Sequence, residues 1–264
     1  MTNVSIHGAA GRMGKRLIDL ANTDESVTLI GAVESADHPQ LGQDSGTVAG
    51  ILSIDLPLTS ELPVGQQVVI DFSQADAVVS ILEKCLATKT PLVIATTGFG
   101  SKTSAQIEEA SQQIPIVWAP NMSLAVNLTM KLSEIAAAAL QDSGNRVDVE
   151  IIETHHRFKA DAPSGTALKF GELIADKMKI DHHQHGRQGD TGTRNKNEIG
   201  YHAVRAGDDA GQHTILFGMM GEKIELRVAA SNRDCYALGA IAAAKFLSDK
   251  PAGMYSMYDV LGLN

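Results

Sequence analysis

The chain reads as α/β: a Rossmann-type doubly wound parallel sheet followed by a second α+β domain on a mostly antiparallel sheet. Three observations predict this. Runs rich in Val and Ile alternate with helical periodicity up to Trp118, the pattern of parallel strands buried on both faces. A glycine cluster, Gly8-Ala9-Ala10-Gly11-Arg12-Met13-Gly14, stands between the first strand and the first helix. Beyond residue 122 the pattern changes to a long helix, a single strand and a hairpin. The predicted domains are 1–122, completed by 234–264, and 123–233.

Taken in order, Asn3–His7 is a short strand, and Met13, Leu17, Ile18 and Leu20 give the period of a helix. At such a strand-to-helix turn Gly8 allows the tight bend, Gly11 the close approach of a pyrophosphate and Gly14 close helix–strand packing. The spacing is G-x-x-G-x-x-G rather than G-x-G-x-x-G, and a glycine-rich turn with no ligand shares it. The second strand, Val27–Val33, ends at Glu34, 20 residues after Gly14, where an acid meets the ribose hydroxyls of a dinucleotide. Together these elements point to NAD or NADP. Glu34 leans towards NAD, while Arg12, Lys15 and Arg16 keep a 2′-phosphate open.

Residues 35–67 have loop composition with short edge structure. Val68–Ser73, Pro91–Thr96 and Ile114–Trp118 are further strands, separated by helices over 74–88 and 101–113. Ligands bind beyond the carboxyl ends of such strands, so Gly8, Glu34, Ser73, Gly98 and Asn121 are expected on one rim.

Ser123 caps a helix reaching about Gln141, with Leu124, Leu128, Leu132 and Ile135 on one face. Val147–Glu153 is a strand that runs into Glu153–Ala167, E-T-H-H-R-F-K-A-D-A-P-S-G-T-A. Ser164 is a natural N-cap, so the amides near Gly165 and Thr166 face outward, and Lys159, His155 and His156 add formal or potential positive charge. A helix start of this kind attracts a small carboxylate or phosphate; the competing reading is a capped helix preceded by solvated bases. Residues 181–198 have loop composition. His182, His183 and His185 invite a metal, but no fixed geometry supports one, and none is expected. Arg187 and Arg194 suggest a mobile cationic loop able to cover an anion, or equally a solvated linker. His213–Gly218 and Lys223–Ala229 flank a Gly221-Glu222 turn as an antiparallel hairpin, and Ala237–Leu247 is a closing helix that packs on the first sheet.

The net charge of −9 and pI near 5.4 argue against nucleic acid or an anionic membrane as partner; they leave a small anionic ligand open. Cys85 and Cys235 belong to no CxxC or Cys/His spacing and read as reduced packing residues. No apolar run reaches about 18 residues free of charge, and the chain opens directly on a strand. A cytoplasmic protein is expected.

These residues resemble those of the dihydrodipicolinate reductase (4-hydroxy-tetrahydrodipicolinate reductase) family. The resemblance rests on Gly8–Gly14, Asp71-Phe72-Ser73, Thr96-Thr97-Gly98 and Ala119-Pro120-Asn121-Met122-Ser123, and above all on Glu153-x-His155-His156-x-x-Lys159-x-Asp161-Ala-Pro-Ser-Gly-Thr-Ala167. Arg187-x-Gly189, Ile199-Gly200 and Arg205-x-Gly207-Asp208-x-x-Gly211-x-His213-Thr214 extend it over the whole chain. It implies NADH- or NADPH-dependent reduction of 4-hydroxy-tetrahydrodipicolinate, a small dicarboxylate, to tetrahydrodipicolinate in the diaminopimelate route to lysine. It further implies a homotetramer joined through the sheets of the second, substrate-binding domain. By resemblance His155 is the general acid/base and Lys159 acts beside it. His156, Gly165 and Thr166 then bind substrate. Gly8, Ala9, Gly11, Arg12, Met13, Gly14, Glu34, Phe72, Thr96, Thr97, Gly98, Pro120, Asn121 and Met122 fall where the family holds the nucleotide. Two positions depart from it: Ser35 replaces a base that some members use for a 2′-phosphate, and Gln212 stands where Glu is frequent.

Two other classes compete. A nucleotide sensor without catalysis has no need of a proton donor beside a carboxylate site. A semialdehyde-type dehydrogenase needs a nucleophilic cysteine, which neither Cys85 nor Cys235 supplies at the rim.

Overall fold

The computed structural model describes residues 1–141, 144 and 146–263; residues 142, 143, 145 and 264 of the expected domains lie outside these. The chain runs β1 (Thr2–His7), α1 (Arg12–Thr23), β2 (Val27–Val33), α2 (Ser45–Ala49), β3 (Leu58–Thr59), β4 (Val68–Asp71), α3 (Val78–Thr88), β5 (Leu92–Ile94), α4 (Ser101–Ser111) and β6 (Pro115–Trp118). It continues through α5 (Leu124–Gln141), β7 (Asp148–His155), α6 (Gly165–Met178), β8 (His182–His185), β9 (Glu198–Arg205), β10 (Gln212–Gly218) and β11 (Lys223–Ala229). It ends with α7 (Asp234–Leu247), β12 (Gly253–Tyr255) and α8 (Met257–Leu261). Two compact units form, Met1–Leu124 with Asp234–Asn264, and Ala125–Arg233.

The first unit holds a seven-stranded sheet in the order β12-β6-β5-β4-β1-β2-β3, parallel throughout. Its strands carry apolar residues on both faces because both are covered: all of β4, Val68-Val69-Ile70-Asp71, is buried. Leu17 and Ile18 of α1 and the alanines of α7 pack with Val4, Ile6 and Ile70. Ile81, Leu82 and Cys85 of α3 join Ile107 of α4 in a second cluster. Each fully buried Ile or Leu stabilises by about 1.5–3 kcal/mol. The strand order reverses beside β1, and at such switch points open α/β sheets leave a crevice beyond the strand ends. Within 35–67 the Asp44 side chain organises the loop: it accepts from the Thr47 N–H at 2.8 Å as cap of α2 and from the Ile54 and Leu56 N–H groups at 3.2 Å. The short β12 and α8 have no counterpart in the sequence expectations, since three and five residues are too few to show a period.

The second unit is a five-stranded sheet in the order β11-β10-β7-β9-β8. β11, β10 and β7 are antiparallel neighbours. β9 pairs parallel with β7, and β8 parallel with β9, so the antiparallel expectation covers three strands and the sheet as a whole is mixed. The crossover through α6 causes this, because a helix returning the chain across a sheet face brings the next strand in parallel. His182–His185, expected as loop, is therefore an edge strand, with the rings of His183 and His185 stacked on Tyr201 at 5.6 and 5.1 Å.

One further expectation fails here. Arg187 and Arg194 do not form a free cationic loop: Arg187 Nη2 lies 2.8 Å and Arg194 Nε 2.9 Å from Glu150 Oε1 of β7, and both approach Glu198 of β9. Burial alone would raise Glu150, but these guanidinium groups and His202 hold it down to about 2. In α5 the apolar face that carries Leu124, Leu128, Leu132 and Ile135 is only partly covered within the chain. Leu128, Leu132 and Ile135 are 41%, 43% and 57% exposed, while Val126, Thr129, Met130, Ser133 and Ala137 are buried. Thr129 and Ser133 tolerate burial because each hydroxyl donates to the carbonyl four residues back, at 2.8 Å.

Candidate active site

In the first unit a cavity of about 1120 Å³ opens beyond the strand ends, larger than the roughly 300–1,000 Å³ of ordinary small-molecule sites. Gly8, Gly11, Arg12, Met13, Glu34, Phe72, Thr96, Thr97, Pro120, Asn121 and Met122 line it. Ala9 and Gly14 are buried, and Gly98 is exposed outside the lining. Gly14 is a packing residue: a Cβ there would stand 2.1 Å from Gly8 O and 2.6 Å from Ala9 O. Gly8 takes a left-handed φ of 77°.

Gly11 begins α1 with no side-chain cap, so no side chain takes the first-turn amides, which suits an anion. Glu34 is tied to the turn. Its Oε2 accepts from the Ala10 N–H at 3.0 Å and its Oε1 from the Ser35 N–H at 3.2 Å, leaving lone pairs for hydroxyl donors. Arg12 is exposed, whereas Arg16 is occupied by a bidentate bond to Asp234, at 2.8 and 3.0 Å, and by Asp19 at 2.7 Å. Arg16 therefore drops out as a phosphate ligand.

A polar group that the sequence reading did not assign underlies the same cavity. Asp71, fully buried, lies 2.7 Å from His7 Nδ1 and accepts from Thr96 Oγ1 at 2.7 Å and from the Ser73 N–H at 3.3 Å. One carboxylate thus pins three cavity-lining segments. The thiols are not poised for attack. Burial pushes Cys85 up to about 12 and also raises Cys235.

In the second unit, β7 delivers His155 at its last position. The buried Glu153, on the same strand face, accepts from His155 Nδ1, from Arg205 Nη1 and Nη2 at 2.8 Å each, and from the Ser164 N–H at 3.0 Å. Burial would raise Glu153; these donors outweigh it and leave the carboxyl below its ordinary value. His156 points elsewhere, its ring 6.2 Å from that of Phe158 and its Nδ1 buried without a partner. Lys159 Nζ lies 2.8 Å from Asp161 Oδ1. Ser164 caps α6 by accepting from the Ala167 N–H at 3.2 Å, and Gly165, exposed, and Thr166 form the first turn.

The Ser164 hydroxyl also lies 3.1 Å from Nε2 of His213, whose ring meets His155 edge-on at 5.3 Å. Burial, the charge of His155 and that of Lys159 push His213 down to about 4 against the opposing pull of Glu153. His213 is thus a neutral neighbour of the His155–Glu153 pair. Glu153, Arg205, Ser164 and His213 were all within the matched motif strings; Ser164 was read only as an N-cap, and the others went unassigned because Arg205 and His213 reach the site from 52 and 49 residues along the chain. Among the described residues no three or more His, Cys, Asp or Glu side chains gather as a metal site requires.

Comparison with known proteins adds to this geometry. Residues 2–122 match the model described as dihydrodipicolinate reductase, N-terminus, and residues 125–261 the one described as its C-terminus. A 4-hydroxy-tetrahydrodipicolinate reductase of Rhodopirellula baltica is 54% identical over 99% of this chain and 96% of its own length. One of Alkalilimnicola ehrlichii is 45% identical over 99% of each. Among solved structures, a dipicolinate-bound dihydrodipicolinate reductase from Paenisporosarcina sp. TG-14 superposes with a TM-score of 0.79 at 26% identity, covering 98% of both chains. An amine dehydrogenase of Mycobacterium smegmatis, TM-score 0.65 at 10% identity over 97% of this chain and 95% of that one, shares the fold.

Proposed function

The chain belongs to the dihydrodipicolinate reductase family, and from this premise we infer that it reduces 4-hydroxy-tetrahydrodipicolinate to tetrahydrodipicolinate with NADH or NADPH. The reaction is a step of the diaminopimelate route to lysine. Substrate, NAD(P)H and a proton give product, NAD(P)⁺ and water. The observation that carries this reading is the segment His155–Thr166: a carboxylate-anchored histidine, a lysine and a capped helix start within a dozen residues.

The cavity of the first unit fits a dinucleotide in size and chemistry. The uncapped start of α1 with Gly8, Gly11, Arg12 and Met13 suits the pyrophosphate, Glu34 the ribose hydroxyls, and Phe72, Thr96, Thr97 and Pro120–Met122 the remainder. When bound, the cofactor supplies the hydride. In the second unit the substrate is a dianion, so Lys159 and the Gly165 and Thr166 amides at the start of α6 hold a carboxylate by charge and by oriented N–H groups. His156 binds beside them. His155 supplies the proton that completes reduction once hydride has added. The assembly is a homotetramer formed through the second unit's sheet, in the cytoplasm; no helix among the described residues is long and apolar enough to cross a membrane.

The test is an assay of NADH and NADPH oxidation, monitored at the reduced nicotinamide absorbance, with freshly made condensation product of pyruvate and aspartate semialdehyde. Turnover with at least one cofactor is expected, and the ratio gives the preference. No turnover with either overturns the reading.

A further inference from the structure

We propose that Glu153 is a positioning residue that holds His155 in the Nδ1-protonated form, with Arg205 fixing Glu153 in place, so that Nε2 is the nitrogen that releases the proton. This deepens the assignment of His155 as proton donor and rests on it.

Glu153 is 1% exposed and two residues before His155 on β7, so both side chains leave the same strand face. Its two oxygens meet four donors: Arg205 twice, the Ser164 N–H and His155 Nδ1. An ionised carboxylate only accepts, so the hydrogen in the contact with His155 belongs to Nδ1. The parallel pairing of β7 with β9 sets His155 opposite Arg205, which is how a guanidinium 52 residues away reaches the carboxylate. Arg205 also donates to the carbonyls of Asp161 at 2.6 Å and Val204 at 2.8 Å, so its fork is held at both ends.

At the other side of the ring stands Gly211, in a φ of 138°. A Cβ there would lie 2.9 Å from His155 Nε2 and 3.2 Å from Cδ2; the missing side chain keeps that nitrogen approachable. The edge-on ring of His213 completes the enclosure.

The charges explain why Arg205 belongs to the device. Arg205 neutralises the buried Glu153 charge and, with two donors, keeps the carboxylate oriented, so the Nδ1–H bond to Glu153 persists while the Nε2 proton leaves. The proton moves from imidazolium Nε2 to the reduced ring, His155 becomes neutral, Glu153 stays ionised throughout, and a solvent proton restores the imidazolium. The same division of labour between a carboxylate and the two ring nitrogens operates in the Ser-His-Asp template.

The test is Glu153→Gln in the full-length protein. Because Arg205 and the Ser164 N–H require an acceptor, the amide oxygen turns to them and its NH₂ faces Nδ1, which forces the hydrogen onto Nε2. Nitrogen-15 NMR of histidine-labelled, ligand-free protein is expected to show neutral His155 with Nδ1–H in the wild type and Nε2–H in the variant. The kcat is expected to fall about 10²–10⁴-fold, the range that a positioned general acid or base contributes, with KM changed less than about threefold. A fall in kcat with the tautomer unchanged overturns the positioning role. A changed tautomer with unchanged kcat upholds positioning and overturns His155 as donor. Should Glu153→Gln fail to fold, Gly211→Ala serves: it leaves the carboxylate contact and the Nδ1–H form intact, and an undiminished kcat in folded protein overturns the assignment of Nε2.

Discussion

The glycine turn of the first unit and the Glu153–Ala167 segment of the second both present groups for an anionic guest, yet they are made of opposite materials. The first is built from what is missing: no Cβ at Gly14, a sharp bend at Gly8 and a helix start without a side-chain cap. Arg12, which lines it, is exposed. The second is built from side chains whose charges are nearly all committed, Arg205 to Glu153 and Lys159 to Asp161. A cofactor site made of backbone tolerates loss of side chains and suffers from their gain. A proton-transfer site made of side chains does the reverse.

The largest expected effect tests that contrast directly. Lys159→Ala removes the charge proposed to hold the dianionic substrate, and kcat/KM is expected to fall about 10²–10³-fold, the scale of deleting one electrostatic stabiliser. Arg12→Ala removes an exposed charge at a site where backbone amides remain, and NADH or NADPH binding, followed by fluorescence quenching, is expected to weaken less than about tenfold. Equal losses from the two variants would erase the distinction.

Next in size is the converse pair. Gly14→Ala forces a methyl within 2.1 Å of Gly8 O, backbone that cannot move aside, and urea unfolding is expected to lose about 2–3 kcal/mol. At Gly165, the first residue of α6, an added Cβ meets nothing within 4 Å, so Gly165→Ala is expected to be neutral or to gain about 0.5 kcal/mol. A stable Gly14→Ala would mean that close helix–strand approach does not constrain the turn.

The same contrast decides what was legible in the sequence. β4, β5 and β6 announced themselves because burial on both faces leaves continuous apolar runs, and β1 and β2 because Val4, Ile6 and the Val27–Val33 run flank the glycine turn and its helix. β12 is too short for any period, and β8, a run of His-His-Gln-His, has the composition of a loop. The glycine turn was legible because its logic is local, from Gly8 to Glu34. In the second unit the motif string announced His155 and Lys159, but the partners that give His155 its orientation are Arg205 and Gly211, brought in by β9 and the loop after it. Likewise the charges of Arg187 and Arg194 suggested freedom until β7 and β9 supplied Glu150 and Glu198. A linear sequence shows which charges exist, and only the sheet register shows which are already neutralised.

The smallest expected effect concerns protons. His213 sits buried against His155 and the Ser164 hydroxyl, pushed down to about 4 by burial and then by its cationic neighbours. An unfolded histidine titrates near 6.5, so between pH 6.5 and 4 the unfolded chain binds a proton that the native site refuses. Stability from this group is therefore complete above pH 6.5 and declines as pH falls towards 4. Glu150 and Glu153, with folded values below the ordinary carboxyl range, act in the same direction only below about 4.5. The interval from pH 6.5 to 5 thus isolates the imidazole. Comparing urea midpoints of wild type and His213→Gln at pH 7.5, 6 and 5 is expected to show a steeper loss in the wild type, amounting to at most about 2 kcal/mol across that interval. The glutamine can keep a hydrogen bond to Ser164 without titrating. Parallel profiles would mean that His213 accepts its proton inside the folded unit, and its reading as a neutral neighbour of His155 would be lost.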